Sequence, residues 1–145
     1  METLAVKNKK IARKFWEAIW EERNLDRAAN FISDQIVYHS PKIEVHGKEK
    51  YIALVKGYMN VFDDTQISIE DQIAENDHVF SKILFSGVHN GDFGEIPPTH
   101  KRIRFQLMNL LQFIDGKIIN EWVVYDELGF MQQLGMELVQ KEHAH

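Results

Sequence analysis

Hydrophobic residues first recur along this chain at helical spacing. Between about Thr3 and Arg23, Ile11, Phe15, Ala18 and Ile19 form one stripe, and Ala12, Trp16 and Trp20 form its neighbour. Two adjacent stripes predict a helix with a broad buried face. Asn24-Leu25-Asp26 breaks that helix, Asp26 can cap a short second one through Phe31, and Ser33-Asp34 ends it. Gln35 to Ser40 reads as a short strand stopped by Pro41, and Ile43 to Val45 as a small hairpin edge. A third helix runs from Gly47 to Phe62, carrying Ile52, Val55, Met59 and Phe62 with Tyr51, Leu54 and Tyr58 beside them.

After Asp63-Asp64 the period changes from that of a helix to that of a strand. Gln66 to Glu75, His78 to Asn90, Lys101 to Ile114 and Lys117 to Asp126 all read as strands. Asn76-Asp77 and Asp115-Gly116 are tight turns between them, and Gly91 to Thr99 is a longer loop. Leu128 to Leu138 returns to helical spacing, and residues 140–145 are expected to fray. Helices first and strands afterwards predict one α+β domain over residues 1–145, with the helices covering one face of a curved antiparallel meander that encloses a pocket.

Composition narrows the options. A chain of 145 residues, 44% hydrophobic and 27% charged, suits a single globular domain with a sizeable core. The absence of cysteine excludes disulfides, zinc-thiolate sites and thiol nucleophiles. A net charge of −5 with scattered Lys and Arg excludes nucleic acid as an expected partner. Met1 to Lys14 has no apolar core of a signal peptide and no run reaches membrane-span length, so no membrane partner and a cytoplasmic location are expected. Motifs for nucleotide binding, serine hydrolysis and zinc proteolysis do not occur. The seven histidines are dispersed, and His143-x-His145 has no carboxylate-rich surroundings in sequence, so no metal is expected.

Candidate chemistry centres on Asp126. The two-residue turn Asp115-Gly116 begins a strand in which Ile118, Trp122, Val124 and Asp126 share a face by alternation. Apolar neighbours would raise the pKa of that carboxylate toward the acid-base range; equally, Asp126 immediately precedes a helix and can cap it. His39, at a strand end beside Pro41, can exchange protons at a pocket mouth or sit packed at the surface. His89 ends a strand two residues after Gly87 and has the same two readings. Asn109 lies on a face otherwise made of Phe105, Leu107, Leu111 and Phe113, so its amide needs a partner, either a ligand carbonyl or a protein group. Trp16, Tyr38, Met59, Phe62 and Trp122 are candidate walls of an apolar cavity, or simply core.

Several passages together resemble one family. Asp34 to His39-Ser40-Pro41, Gly47 opening a helix that ends in Phe62-Asp63, Ser86-Gly87-Val88-His89-Asn90-Gly91 and Ile96-Pro97-Pro98-Thr99 are four of them. Asp115-Gly116-Lys117-Ile118, Glu121-Trp122, Asp126 and Gln132-Gln133-Leu134-Gly135 complete the set. The set is similar to that of the SnoaL-like polyketide cyclases, within the nuclear-transport-factor-2-like superfamily. The resemblance implies a cystatin-like cone, a half-barrel of curved sheet wrapped around the N-terminal helices. It also implies an apolar pocket, a homodimer, a small-molecule ligand, and no metal or organic cofactor. It implies catalysis by an aspartate matching Asp126, with pocket histidines matching His39 and His89. The expected function is cofactor-independent acid-base chemistry on a small apolar carbonyl compound, an aldol closure or related isomerisation. A non-catalytic ligand-binding or dimerisation module with the same pocket is the alternative.

Overall fold

The computed structural model describes residues 1–142; the last three residues, with the His143-x-His145 pair, lie outside the described residues. Helix α1 (Leu4–Trp20) is followed by α2 (Leu25–Ala29), β1 (Ile32–His39), β2 (Glu44–His46) and α3 (Lys48–Val61). Then come β3 (Phe62–Glu75), β4 (His78–His89), β5 (Arg102–Ile114), β6 (Lys117–Tyr125) and α4 (Glu127–Gln133). The six strands form one sheet in the order β2-β1-β6-β5-β4-β3, so the predicted α+β fold stands. β3 to β6 make the antiparallel meander, whereas β1 joins β6 in parallel, with Tyr38 opposite Glu121 and His39 opposite Trp122. That parallel pair is a correction to a wholly antiparallel sheet. It arises because α3 and the meander carry the chain back to the β1 edge only at its last strand.

Local chemistry sets the element ends. Thr3 caps α1 through its hydroxyl, which accepts from the Val6 amide at 3.2 Å. Asp115 and Gly116 both take positive φ, 50° and 76°, as a two-residue hairpin turn with the sheet's twist requires. β4 alternates without a break: Val79, Ser81, Ile83, Phe85, Gly87 and His89 are buried, and the residues between them are half-buried on the other face. β1 starts at Ile32 and β3 at Phe62, each a few residues earlier than periodicity implies, and α4 stops at Gln133. α1 lies across the inner face of β3 and β4 and presents Phe15, Trp16, Ile19 and Trp20 to the concave side.

The loop after β4 is held by a close backbone approach at Gly91. Its amide donates to the Val61 carbonyl at 3.0 Å, and a Cβ there would collide with the Asn60 carbonyl oxygen and lie 2.9 Å from the Asn60 carbonyl carbon. Those obstacles are backbone at the end of α3 and cannot rotate away. Gly91→Ala is therefore expected to lower the unfolding free energy by about 2 kcal/mol, a typical cost of overpacking. Urea denaturation with an unchanged m-value would measure it.

Between β5 and β6 the register slips by one residue: Phe113 faces Ile118, but Gln112 faces Asn120. This bulge changes which side chains of β6 face inward. Before it, Ile118 is buried on the inner face; beyond it, Glu121, Val123 and Tyr125 point inward, and Trp122 and Val124 point out. Val124 is 54% exposed, opposite Met108 on the outer face.

Candidate active site

The concave side of the sheet, α1 and α3 line a partly open cavity of about 100 Å³. α1 contributes Phe15, Trp16, Ile19 and Trp20; α3 contributes Tyr51, Val55 and Tyr58, spaced four and three apart on one helical face. The sheet contributes Tyr38 from β1, Phe62 and Phe85 from β3 and β4, Phe105 and Leu107 from β5, and Glu121, Val123 and Tyr125 from β6. Phe93, from the loop, and Phe130, from α4, complete the wall. Phe130 rests edge-on against Phe93 at 4.9 Å between centroids.

Glu121 is the carboxyl group in that wall, 4% exposed. Both its oxygens are engaged: the Tyr51 hydroxyl donates to Oε1 at 2.6 Å and the Asn109 amide donates to Oε2 at 2.7 Å. Asn109 is itself oriented by Trp16, whose indole N–H donates to Asn109 Oδ1 at 3.1 Å. This chain of bonds fixes the carboxyl plane and leaves each oxygen a free lone-pair direction. Burial pushes the Glu121 carboxyl above its ordinary value of 4.5, and the bonds from Tyr51 and Asn109 pull in the opposite direction without cancelling it. Burial likewise raises the Tyr38, Tyr51 and Tyr125 phenols. They therefore remain protonated hydrogen-bond donors at neutral pH.

The expected site residues fall into three groups. Trp16, Tyr38 and Phe62 line the cavity. Asn109 is fully buried behind the wall, and its partners are protein groups, Trp16 and Glu121. The remaining five lie elsewhere. Trp122 is on the outer face because of the bulge, stacked on His39 with ring centroids 4.8 Å apart. His39 sits on that face too, Nδ1 at 2.9 Å from Glu44 and Nε2 at 3.0 Å from Asn120 Oδ1, because the inward position of β1 is taken by Tyr38. Met59 is buried off the cavity, its carbonyl accepting from Arg23 Nη2 at 2.7 Å. His89 does face inward, but its Nδ1 accepts from the Thr99 amide at 3.1 Å and its ring meets the face or edge of Phe130 outside the lining. Asp126 is exposed and caps α4, accepting from the Gly129 amide at 2.9 Å.

Sequence reasoning missed Glu121, Tyr51, Tyr58 and Tyr125 as cavity groups. The available signal was the seven-residue spacing of Tyr51 and Tyr58 with Val55 between them, which places two hydroxyls on one face of α3. Among the described residues no three histidine or carboxylate side chains gather closely enough to hold a metal ion, and no helix is long and apolar enough to cross a membrane.

The chain resembles known proteins over most of its length. Residues 10–134 match the family model for the SnoaL-like polyketide cyclase. DnrD of Streptomyces peucetius, an aklanonic acid methyl ester cyclase, is 28% identical over 106 residues, 72% of each chain. The structure of AclR from Streptomyces galilaeus superposes with a TM-score of 0.82 at 28% identity, over 94% of this chain and 87% of that one. A SnoaL-like protein from Jannaschia sp. CCS1 gives a TM-score of 0.86 at 18% identity, over 95% and 98%, a likeness of fold. With a family model spanning most of the chain and relatives of matching architecture, the chain belongs to the SnoaL-like polyketide cyclase family.

Proposed function

We propose that the cavity binds a small, mostly apolar carbonyl compound and that Glu121 moves a proton at the carbon beside its carbonyl. Membership of the family supports chemistry of the cyclase and isomerase type. The observation that carries the assignment to Glu121 is a buried carboxyl in an otherwise apolar wall, held from both oxygens. In its ionised form Glu121 takes the α-proton, the C–H pair becomes the new C=C bond, and the carbonyl π pair moves onto oxygen. The phenols of Tyr38, Tyr58 and Tyr125, which share the cavity wall, are donors for that enolate oxygen. In an aldol closure the enolate carbon attacks a second carbonyl and Glu121 returns its proton to the new alkoxide. In an isomerisation the proton returns to a different carbon. Either sequence balances with no added oxidant or reductant.

A purely binding role gains nothing from this carboxyl, because burying an ionisable group in an apolar wall costs stability. The test is deuterium uptake at the methylene of phenylacetone in D2O, followed by proton NMR. Exchange that accelerates above buffer and saturates with ketone concentration is the expected result; exchange at the buffer rate overturns the proposal. Asp126→Asn is expected to keep the exchange rate within about twofold, since asparagine is an equally good helix cap and the position is exposed. A loss greater than tenfold would return the acid-base role to Asp126.

A further inference from the structure

The cavity has two unlike ends. At one end Tyr38 pairs with Glu121 across the β1–β6 ladder, and its ring lies 6.0 Å from that of Tyr51, whose hydroxyl reaches Glu121, so oxygen atoms are gathered together. At the other end Phe62, Phe85, Phe105 and Phe130 form a cage, with Phe85 at 5.0 Å from both Phe62 and Phe105, and Phe130 at 5.6 Å from Phe62 and 5.5 Å from Phe105. Such a cage takes an unsaturated or aromatic body by edge and face contacts. No lysine, arginine or histidine lines the cavity among the described residues, and the acid already present is Glu121.

We infer, on the assignment of this cavity as the working site, that its ligand is a neutral molecule of single-ring size that turns its reacting carbonyl toward the tyrosines. Three physical limits support this. A carboxylate or phosphate on the ligand would be desolvated beside Glu121 with no cation to receive it, an arrangement that costs more than the apolar contacts return. A cavity of about 100 Å³, partly open to solvent, is of the same order as the dry engineered cavity of roughly 150 Å³ that takes up benzene, so it holds one ring. A second fused ring has to displace close-packed aromatic side chains, and packed interiors resist such displacement. The distribution of polar groups then orients the ligand, oxygen toward the tyrosines and ring toward the phenylalanines.

The experiment titrates the full chain at pH 8 with acetophenone, benzoate and 2-acetonaphthone, reading the indole N–H signals of Trp16 and Trp20 by NMR, with outer-face Trp122 as reference. Acetophenone is expected to shift Trp16 and Trp20 saturably and leave Trp122 in place. Benzoate, of equal size but charged, and 2-acetonaphthone, neutral but one ring larger, are expected to bind at least tenfold more weakly. Benzoate within tenfold of acetophenone overturns the neutrality limit. Acetonaphthone within tenfold, or tighter as its greater apolar area dictates on an open surface, overturns the size limit. No binding of acetophenone, or a shift confined to Trp122, overturns the inference altogether. Val123→Phe, which fills the cavity, is expected to weaken acetophenone at least tenfold with the Trp122 signal unchanged; unchanged affinity places the ligand elsewhere. Binding is read without turnover, so a chain that binds acetophenone yet exchanges no protons would refute the proposed chemistry and keep this ligand class.

Discussion

Glu121→Gln is expected to lower proton exchange by a factor of about 10² to 10⁴, the usual worth of a positioned acid-base group. The substitution keeps side-chain volume and shape. The Asn109 amide can still donate to the new carbonyl oxygen, and the Tyr51 hydroxyl can accept from the new amide, so the Trp16-Asn109-Glu121-Tyr51 chain persists as a structural unit. What disappears is the ability to hold and release a proton. Steady-state exchange measured beside a thermal melt separates the two effects. A rate within a factor of three of wild type, in a folded protein, would remove Glu121 from the chemistry.

The same substitution makes a signed statement about pH. Burial raises the Glu121 carboxyl above 4.5 in the folded chain, while in the unfolded chain it titrates near that ordinary value. Below 4.5 both states hold the proton and the group costs nothing. As pH rises from there to the raised folded value, the unfolded state releases its proton first and stability falls; above that value the full penalty remains. Glutamine carries no such penalty. The melting temperature of Glu121→Gln relative to wild type should therefore become more favourable as pH rises from 4.5 upward, and should level off once Glu121 ionises in the folded protein. A difference that stays flat from pH 4 to pH 9 would show that the two states titrate alike. Exchange by wild type should rise with pH through the same window, because the ionised form is the base.

The architecture was largely written in the spacing. The change from a helical to a two-residue period marks the boundary at Phe62, the Asp115-Gly116 turn pins the last hairpin, and the stripes of α1 put Trp16 on the concave side. The site was less legible, for a reason confined to one residue. Counting from the hairpin turn pairs Asn109 with Trp122, which would put Trp122, Val124 and Asp126 on the cavity side. The bulge near Ile119 pairs Asn109 with Val123 instead and turns Glu121 inward. Both faces of β6 are apolar, Ile118-Trp122-Val124 on one parity and Ile119-Val123-Tyr125 on the other, so the hydrophobic pattern could not choose between them. The two readings of His39 stay open in the sequence for a related reason: its facing depends on the parallel pairing of β1 with β6, a long-range contact that no local pattern encodes. His89 faces inward at the end of β4, and the engagement of its Nδ1 by the Thr99 amide depends on how the Pro97-Pro98 loop folds back.

Asn109→Leu is expected to cost the fold roughly 4 kcal/mol, because it strips partners from two buried groups at once. The Trp16 indole N–H and Glu121 Oε2 both bond to Asn109, and both lie away from solvent. Each orphaned polar group costs about 1–3 kcal/mol, and the acidic one lies at the upper end. Leucine matches the surrounding Leu107 and Leu111 and introduces little strain, so the loss reads the network and not the packing. Pairing the change with Glu121→Leu supplies the check. If the two residues act as a unit, the double variant should be at least 1 kcal/mol more stable than the sum of the single losses allows, since it orphans the Trp16 indole N–H and the Tyr51 hydroxyl alone, whereas the single variants together also orphan Glu121 Oε2 and the Asn109 amide. Additive losses by urea denaturation would show that Asn109 and Glu121 are buried independently, and the orientation of the carboxyl would then need another source. Coupled losses would show that Asn109, itself oriented by Trp16 of α1, holds the carboxyl in place.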